Sequence, residues 1–444
     1  MKEKDLKNIL REDFSFEKNW KLIFSMLFNK VQYFTNASNP FEEQSKVKSG
    51  KQTGVVKLDD GKSLAIFEVE VDDSIHIDRN RQGLREIAIK HIDQNITHGA
   101  LVFYYSKNQA DYRFSFIAKW SEIDLETGEF IKGETKPKRY TYLLGDNEAC
   151  TTAAKRLLIL ARKKETQEIG IKEVIDAFAV EPLKNDFFKT YKEHYEKFWR
   201  YIANAENGYR NILLDKDDTK ENVEREKPIR DFVKKLLGRI VFLHFLQKKG
   251  WMGCSTKSKE WKDGDKKFMQ NLYKEFQDKQ KFHSKCLTKL FFNTLNTIRE
   301  NDILEIDGLK GKLNGSRVPY LNGGLFDTDN PRETQTIDFP EKFFFELLDF
   351  FEQYNFTIDE NSPDDHEVGI DPEMLGHIFE NLLEENREKG AFYTPKEVVQ
   401  YMCKESIIQY LNNHFDASDD IENFVRNHLV SNFFANRDNA VELN

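Results

Sequence analysis

The sequence feature that most constrains the fold is a predicted β-hairpin over residues 54–71, GVVKLDDGKSLAIFEVEV. Two runs of strand-type residues, 55–58 and 64–71, flank the pair Asp60-Gly61. An Asp-Gly pair between alternating apolar runs is the strongest short-range signal for a hairpin turn. This stretch therefore predicts two antiparallel strands joined by a tight turn.

The second strand of this hairpin carries two acidic residues, Glu68 and Glu70, near its end. Successive side chains of a strand point to opposite faces, so both carboxylates share one face, while Phe67, Val69 and Val71 fill the other. Two carboxylates on one face can bind a divalent metal, since Mg²⁺ prefers oxygen ligands. By spacing alone, a strand with one solvated polar face is the more common explanation of the pattern.

The segments around the hairpin favour the metal-site interpretation. Their apolar residues recur at helical or strand spacing, and they predict helices at 16–31 and 78–92 and strands at 100–105 and 114–118. The order helix, hairpin, helix, strand, strand resembles the core of the PD-(D/E)xK nucleases. That resemblance implies an α/β nuclease-like domain with a mixed sheet. It also implies Mg²⁺-dependent cleavage of DNA, in which the catalytic and metal-binding residues are Glu68 and Glu70.

The chain departs from that family at the lysine. The family reads E-x-K near the end of the second strand, whereas this chain reads Glu68-Val69-Glu70. A lysine would offset the negative charge and help to position the attacking water, so a site with two glutamates should depend more steeply on metal. We expect the two carboxylates to lie on an exposed strand face, in a cleft bounded by a helix that begins near Gln82.

A second departure concerns the acid that the family carries early in the hairpin. Symmetry about the predicted turn places Thr53 opposite Glu68, where that acid would be expected. Asp59 lies at the hairpin tip, roughly 20 Å from Glu68 at about 3.3 Å per residue. Glu42 or Glu43 could substitute if the chain folds back, and a wider turn would bring Asp59 closer.

Length and composition allow two or three soluble domains. At 444 residues the chain can bury proper cores, and it has neither an apolar run that approaches a membrane span nor a recognisable signal peptide. Its four cysteines are far apart, which favours a reducing cytoplasm and argues against a zinc site. The net charge is −9, but residues 132–140 and 278–289 are locally basic, and phosphate contact needs only a local patch. Such runs are more often solvated faces.

The periodicity changes after a polar stretch at 132–138 that contains glycine and proline. Beyond it the pattern is mainly helical, which predicts an α/β domain over residues 1–137 and a mostly α-helical connector domain over residues 138–365. Residues 230–249 predict a buried core helix capped by Gly250. His244 in this helix has no histidine or cysteine at metal spacing, so we expect it to be a packed histidine.

Residues 371–411 predict two helices joined by a loop. Asp371-Pro372 begins the first helix, and Thr394-Pro395 begins the second, with a glutamate three residues after the threonine. A well-capped helix–loop–helix needs no function. Alternatively, the free N–H groups and partial positive charge of a helix N-terminus suit the carboxylate of a ligand such as S-adenosylmethionine.

The segment that contains this second cap is similar to motif X of gamma-class amino DNA methyltransferases, where a Y-T-P loop precedes the cofactor-binding strand. That resemblance implies that residues 366–444 form the helical start of a methyltransferase domain. It also implies that four residues line a pocket for S-adenosylmethionine: Phe392, Tyr393, Thr394 and Pro395. Three further phrases resemble the connector of type IIG restriction–modification enzymes, in which a nuclease domain, a helical connector and an adenine-N6 methyltransferase follow one another: 139–144, 237–250 and 318–327.

The methyltransferase resemblance is incomplete. No glycine follows Gly390, so the cofactor loop with its G-x-G is missing, and no N-P-P-Y or D-P-P-Y motif is present. The chain is therefore expected to be a split gene product or a fragment that cannot methylate alone. S-adenosylmethionine would be a cofactor only in a complete enzyme.

These resemblances predict the N-terminal part of a fused restriction–modification enzyme that acts on double-stranded DNA away from any membrane. A downstream methyltransferase or recognition polypeptide would be its partner. A second hypothesis is a non-catalytic DNA-binding and connector module that supports a separately encoded methyltransferase, and the missing early acid favours it. A third is a helical scaffold without a nucleic-acid role.

Overall fold

The structure, a computed structural model, contains a seven-stranded sheet and a largely helical part. It describes residues 1–35, 40–41, 46–78, 98–118, 138–214, 225–321, 323–327, 331–332, 334–357, 365–374, 376, 394, 396–414 and 425. None of the helices in these ranges is long and apolar enough to cross a membrane.

The strands of the sheet follow one another in the order of the chain. They are β1 (Lys30–Tyr33), β2 (Val47–Lys57), β3 (Ser63–Val71), β4 (Gly99–Tyr105), β5 (Asp111–Ala118), β6 (Lys138–Gly145) and β7 (Asp365–Glu367). Neighbours are antiparallel except β3 with β4 and β6 with β7, which are parallel. This mixed sheet agrees with the predicted α/β class, and β4 and β5 coincide with the strands predicted at 100–105 and 114–118.

The helices lie mostly beyond the sheet in sequence. They are α1 (Glu3–Arg11), α2 (Lys21–Leu27), α3 (Thr151–Thr166), α4 (Ile171–Phe178), α5 (Glu181–Ala203), α6 (Arg210–Leu213), α7 (Lys227–Lys248), α8 (Phe268–Glu275), α9 (Glu341–Glu352) and α10 (Lys396–Asn412), with π-helical segments at Phe16–Trp20, Phe282–Leu287 and Lys289–Leu295. The helix predicted over 16–31 is shorter than expected. Its backbone becomes extended at Phe28, because the residues that follow pair with β2 as the edge strand β1.

The hairpin of β2 and β3 turns at Asp60-Gly61, as predicted. The N–H of Leu58 donates to the carbonyl of Lys62 at 2.8 Å, and Gly61 has a φ of +84°. Glycine suits this position because the left-handed conformation costs other residues about 1–2 kcal/mol. The turn is tight, so the wider turn considered from the sequence is wrong.

Asp59 and Asp60 at this turn hold the segment that leads into α4. The N–H of Ile169 donates to Asp59 Oδ2, and the N–H of Ile171 donates to Asp60 Oδ2, both at 2.9 Å. The side-chain amide of Asn29 also donates to Asp59 Oδ2, at 3.0 Å. The acids at the hairpin tip therefore tie the hairpin to the helical part.

The two faces of the sheet bury different hydrophobic cores. One face packs beneath α1, α2 and α3, where Trp20 lies over Phe103 and Phe114 with ring centroids 4.6 and 4.4 Å away. This core continues into the helices that follow β6. The opposite face carries a smaller core that includes Phe41 and Phe67. The helical part and the first face of the sheet thus share one core.

Two strands of the sheet come from beyond the predicted domain boundary at residue 137. β6 pairs with β5, and β7 adds an edge strand from residues 365–367. Between residues 166 and 310, the described residues form isolated bridges and no strand, as a mostly helical region requires. The division into domains at residues 137 and 365 stays a prediction.

Helix α7 is buried along most of its length, as its composition predicts. It ends at Lys248, and Gly250 has a φ of +75° and donates its N–H to the carbonyl of Gln247 at 2.9 Å. His244 is buried, with its Nδ1 2.9 Å from the carbonyl oxygen of Ile240. The predictions of a core helix, a glycine cap and a packed histidine are confirmed.

His244 and His283 should make the stability of the fold depend on pH. Burial lowers the pKa of each imidazole from 6.5 to about 4, and each Nδ1 contacts a backbone carbonyl. Below pH 6.5 the unfolded chain gains a proton at each position that the folded chain does not. The contribution of these neutral histidines to the free energy of unfolding is therefore fully present above pH 6.5, and it is lost as the pH falls toward 4. We expect each histidine to cost about 2 kcal/mol of unfolding free energy between pH 7.5 and pH 5.

Urea unfolding at these two pH values measures that cost. His244→Gln should reduce the loss on acidification by about 2 kcal/mol relative to wild type. His414→Gln changes an exposed histidine and should leave the loss unchanged. The same acid sensitivity in His244→Gln and wild type would contradict the assignment.

Candidate functional site

Glu68 and Glu70 lie near the carboxyl end of β3, on the face that packs beneath α1 and α2. Both are buried, at 5% and 8% exposure, so the expectation of an exposed strand face is wrong. The burial is possible because each carboxylate has a hydroxyl and a lysine beside it. Buried charges are stable only when they are paired and hydrogen-bonded.

Glu68 is held from strand β2. The hydroxyl of Thr53 donates to Glu68 Oε1 at 2.8 Å, and Lys51 Nζ lies 3.3 Å from the same oxygen. The backbone partner of Glu68 is Lys51 rather than the predicted Thr53, a difference of two residues. One residue arises because pairing next to the turn is centred on Asp60, as in Lys57 with Ser63, and the other because the register shifts between Gln52 and Gly54. This β-bulge adds one residue to β2, and it brings Lys51 and Thr53 to the same carboxylate.

Glu70 is held in a similar way by residues of two different segments. The hydroxyl of Ser49, on β2, donates to Glu70 Oε2 at 3.3 Å. Lys107, in the turn between β4 and β5, donates to the same oxygen at 3.0 Å. The cluster of Glu68, Glu70, Lys51 and Lys107 therefore has no net formal charge.

One oxygen of each carboxylate remains available. Neither Glu68 Oε2 nor Glu70 Oε1 accepts a hydrogen bond or an ion pair from the residues that the structure describes. Neither atom is among the fully buried polar atoms that lack a partner, so each oxygen keeps some contact with solvent. These two oxygens are the positions where a cation or a water could bind.

Tyr105 is the last residue of strand β4, and it lies beside the two carboxylates of β3. Burial and the negative charges of Glu68 and Glu70 raise the pKa of its phenol to about 12. The ring of Phe14 packs against it, with centroids 4.4 Å apart. The phenol therefore stays protonated at neutral pH and can donate a hydrogen bond within the site.

A third acid is not found among the described residues, where no group of three His, Cys, Asp or Glu side chains could hold a metal. Asp59 is bound at the hairpin tip to Ile169 and Asn29. Glu42, Glu43 and the helix predicted near Gln82 lie outside the described residues. A third metal ligand therefore stays a prediction.

The predicted cofactor residues lie largely outside the described part of the chain. This is true of Phe392, Tyr393 and Pro395, whereas Thr394 is described and exposed. α10 begins two residues after Thr394, in agreement with the predicted helix start. The assignment of these residues to a cofactor pocket stays a prediction.

Sequence reasoning missed the two lysines of the site. Lys51 could have been found only by knowing that the pairing is centred on Asp60 and that a bulge interrupts β2, since symmetric pairing about Asp60-Gly61 places Thr53 opposite Glu68. Lys107 comes from a turn that is 37 residues from Glu70 in sequence. Only the parallel pairing of β3 with β4 brings that turn to the end of β3.

No protein-family model matches the chain. A protein of Methanocaldococcus jannaschii, named as a candidate type II restriction enzyme and methyltransferase, is 29% identical to the chain over 184 residues. The match covers 40% of this chain and 14% of that protein. The chain therefore spans only a small part of its relative's length.

Proposed function

We propose that this chain is part of a restriction–modification enzyme and that it cleaves double-stranded DNA by metal-dependent phosphodiester hydrolysis. The observation that carries the proposal is the pair Glu68 and Glu70, which lie on one face of β3 with one carboxylate oxygen each still available. Similarity to a protein named for restriction and methylation supports DNA as the substrate.

The donor atoms at this pair fit a hard divalent cation. Glu68 and Glu70 would hold Mg²⁺ through carboxylate oxygens, and hydroxyl groups from β2 fix the orientation of both side chains. Mg²⁺ supplies a Lewis acid that polarises a phosphate oxygen and lowers the pKa of a bound water. Glu42 and Glu43 are the proposed sources of a further ligand.

Lys51 would perform the role of the lysine that the E-x-K pattern lacks here. Its ammonium reaches Glu68 from the neighbouring strand, at 3.3 Å, and its side chain is 45% exposed. An ammonium in this position offsets the charge of the two carboxylates. It can also donate a hydrogen bond to a phosphate oxygen or to the attacking water.

Changing Lys51 to alanine should therefore slow DNA cleavage by about 100-fold, the lower end of the effect expected when one hydrogen-bond donor is removed from a reaction site. Lys51→Arg keeps the positive charge and should recover part of the rate. The measurement is the rate of cleavage of supercoiled plasmid DNA over a range of Mg²⁺ and Mn²⁺ concentrations.

The matched control is Lys57→Ala, which removes an exposed lysine from the opposite end of the same strand. Its cleavage rate should equal that of wild type. A Lys51→Ala rate that also equals wild type would exclude Lys51 from the reaction. A wild-type protein that cleaves no DNA with either metal would refute the nuclease proposal itself.

A second candidate function is a non-catalytic DNA-binding and connector module. It is favoured by the two ion pairs that occupy the carboxylates and by the lack of a third acid among the described residues. DNA binding without cleavage at any metal concentration would favour this function. Binding should weaken steeply with salt if phosphates are contacted. A scaffold with no nucleic-acid role would bind no DNA.

We propose that residues from 366 onward belong to a methyltransferase region, in which Phe392, Tyr393, Thr394 and Pro395 line one wall of an S-adenosylmethionine pocket. The exposed position of Thr394, just before α10, is compatible with such a wall. The sequence has no G-x-G loop after Gly390 to complete the pocket. A complete enzyme or a methyltransferase partner would supply it.

A further inference from the structure

Two lysines each pair with one oxygen of the two carboxylates, Lys51 with Glu68 Oε1 and Lys107 with Glu70 Oε2, and both lysines remain accessible. The side chains of Glu68 and Glu70 are 6% and 11% exposed, whereas those of Lys51 and Lys107 are 45% and 77% exposed. A long side chain with this much exposure can move into solvent at little cost, whereas the carboxylates are fixed by hydroxyl groups. The lysines are therefore the mobile half of each ion pair.

A divalent cation on the free oxygens, Glu68 Oε2 and Glu70 Oε1, would repel the two ammonium groups that pair with the other oxygens of the same carboxylates. The four groups are neutral together, so adding Mg²⁺ leaves two positive charges in excess beside two lysines that have lost their partners. Each displaced ammonium is then available to bind another anion. The phosphate groups of a DNA backbone are suitable anions, since lysine binds phosphate as a compact positive charge.

We infer that Lys51 and Lys107 form a phosphate-binding pair that exchanges partners: they bind Glu68 and Glu70 in the free protein and bind the DNA backbone when a divalent cation occupies the carboxylates. This inference rests on the proposed nuclease function. Metal and DNA then bind with positive cooperativity. Each of them favours the arrangement in which the lysines have left Glu68 and Glu70, so binding of one makes binding of the other easier. The coupling must be reciprocal, so DNA raises the metal affinity by the same factor by which metal raises the DNA affinity.

The exchange is tested with Lys107→Met, which removes the more exposed competitor and keeps the length of the side chain. Mn²⁺ binding to the DNA-free full chain is followed by electron paramagnetic resonance. Affinity for a 20-base-pair duplex is measured by fluorescence anisotropy with and without Mn²⁺. The matched control is Lys48→Met, because Lys48 is a partly exposed lysine next to Ser49 at the start of β2 but pairs with Asp73.

Lys107→Met should bind Mn²⁺ about fivefold more tightly than wild type in the absence of DNA, the effect of losing one competing ion pair. It should also show a smaller increase in DNA affinity on adding Mn²⁺. Lys48→Met should stay within about twofold of wild type in both measurements. Far-ultraviolet circular dichroism establishes that the variants are folded.

Unchanged or weaker Mn²⁺ binding by Lys107→Met would overturn the exchange while leaving the metal site intact. A different result would refute the proposed function as well. That result is a Glu68→Gln, Glu70→Gln double variant that binds Mn²⁺ as tightly as wild type does. In that case the metal does not bind at these carboxylates. The two failures are therefore distinguishable.

Discussion

Replacing Glu68 by alanine should reduce metal-dependent DNA cleavage by at least about 100-fold and leave DNA affinity within about twofold of wild type. One oxygen of this carboxylate is held by Thr53 and Lys51, which leaves the other for a cation. Without the carboxylate the cation loses one of its two described ligands, and several kcal/mol of transition-state stabilisation are lost with it. Plasmid cleavage with Mg²⁺ or Mn²⁺ and gel-shift binding measure the two effects separately.

Two further variants make this result specific. Glu68→Gln keeps the side-chain volume and an oxygen that can accept the Thr53 hydrogen bond, so a loss shared by both variants comes from the missing charge. Asp73→Ala removes an exposed acid just beyond the same strand, and it should cleave as wild type does. Cleavage that persists in the Glu68→Ala, Glu70→Ala double variant would rule out the site.

The sequence was most informative where structure is determined locally. The turn at Asp60-Gly61 depends on the backbone preferences of two adjacent residues, and the alternation of residues 64–71 depends on a period of two along one strand. Gly250 ends α7 for an equally local reason, since a glycine takes the left-handed conformation after a helix at little cost. Each of these predictions was confirmed.

The surroundings of the site could not be predicted because they depend on pairing between distant segments. A bulge near Thr53 changes which residue of β2 faces Glu68, and no residue type in that stretch marks a bulge unambiguously. The carboxylates can be buried because they pair with two lysines, one on β2 and one in the turn after β4. Neither lysine lies near the E-x-E motif in sequence.

The edge strand β7 shows the same limit at a longer range. Its three residues pair with β6 in parallel, although more than 200 residues separate the two strands in the chain. A segment this short has no periodicity from which a strand could be predicted. The structure shows what holds it: a buried ion pair between Arg113 of β5 and Glu367 of β7, with Nη1 and Oε2 2.8 Å apart.

This ion pair leads to the second large expected effect, a loss of about 3–5 kcal/mol of unfolding free energy in Glu367→Ala. The Arg113 side chain is fully buried, and it also donates to the backbone carbonyls of Ile77 and Asp78, at 2.6 and 3.1 Å. Removing Glu367 leaves the guanidinium charge buried without its carboxylate partner. Urea unfolding at neutral pH measures the loss.

The surface ion pair of Arg11 with Asp146 provides the matched comparison, because Asp146 is 76% exposed and its change to alanine should cost less than about 1 kcal/mol. Replacing both buried partners, as Arg113→Met with Glu367→Leu, should cost less than Glu367→Ala alone, since the buried guanidinium charge is removed together with its carboxylate partner. If the double variant is instead the least stable, the pair contributes through its hydrogen bonds to β7 and to residues 77–78 rather than through charge compensation. A cost below about 1 kcal/mol for Glu367→Ala would show that β7 does not depend on Arg113.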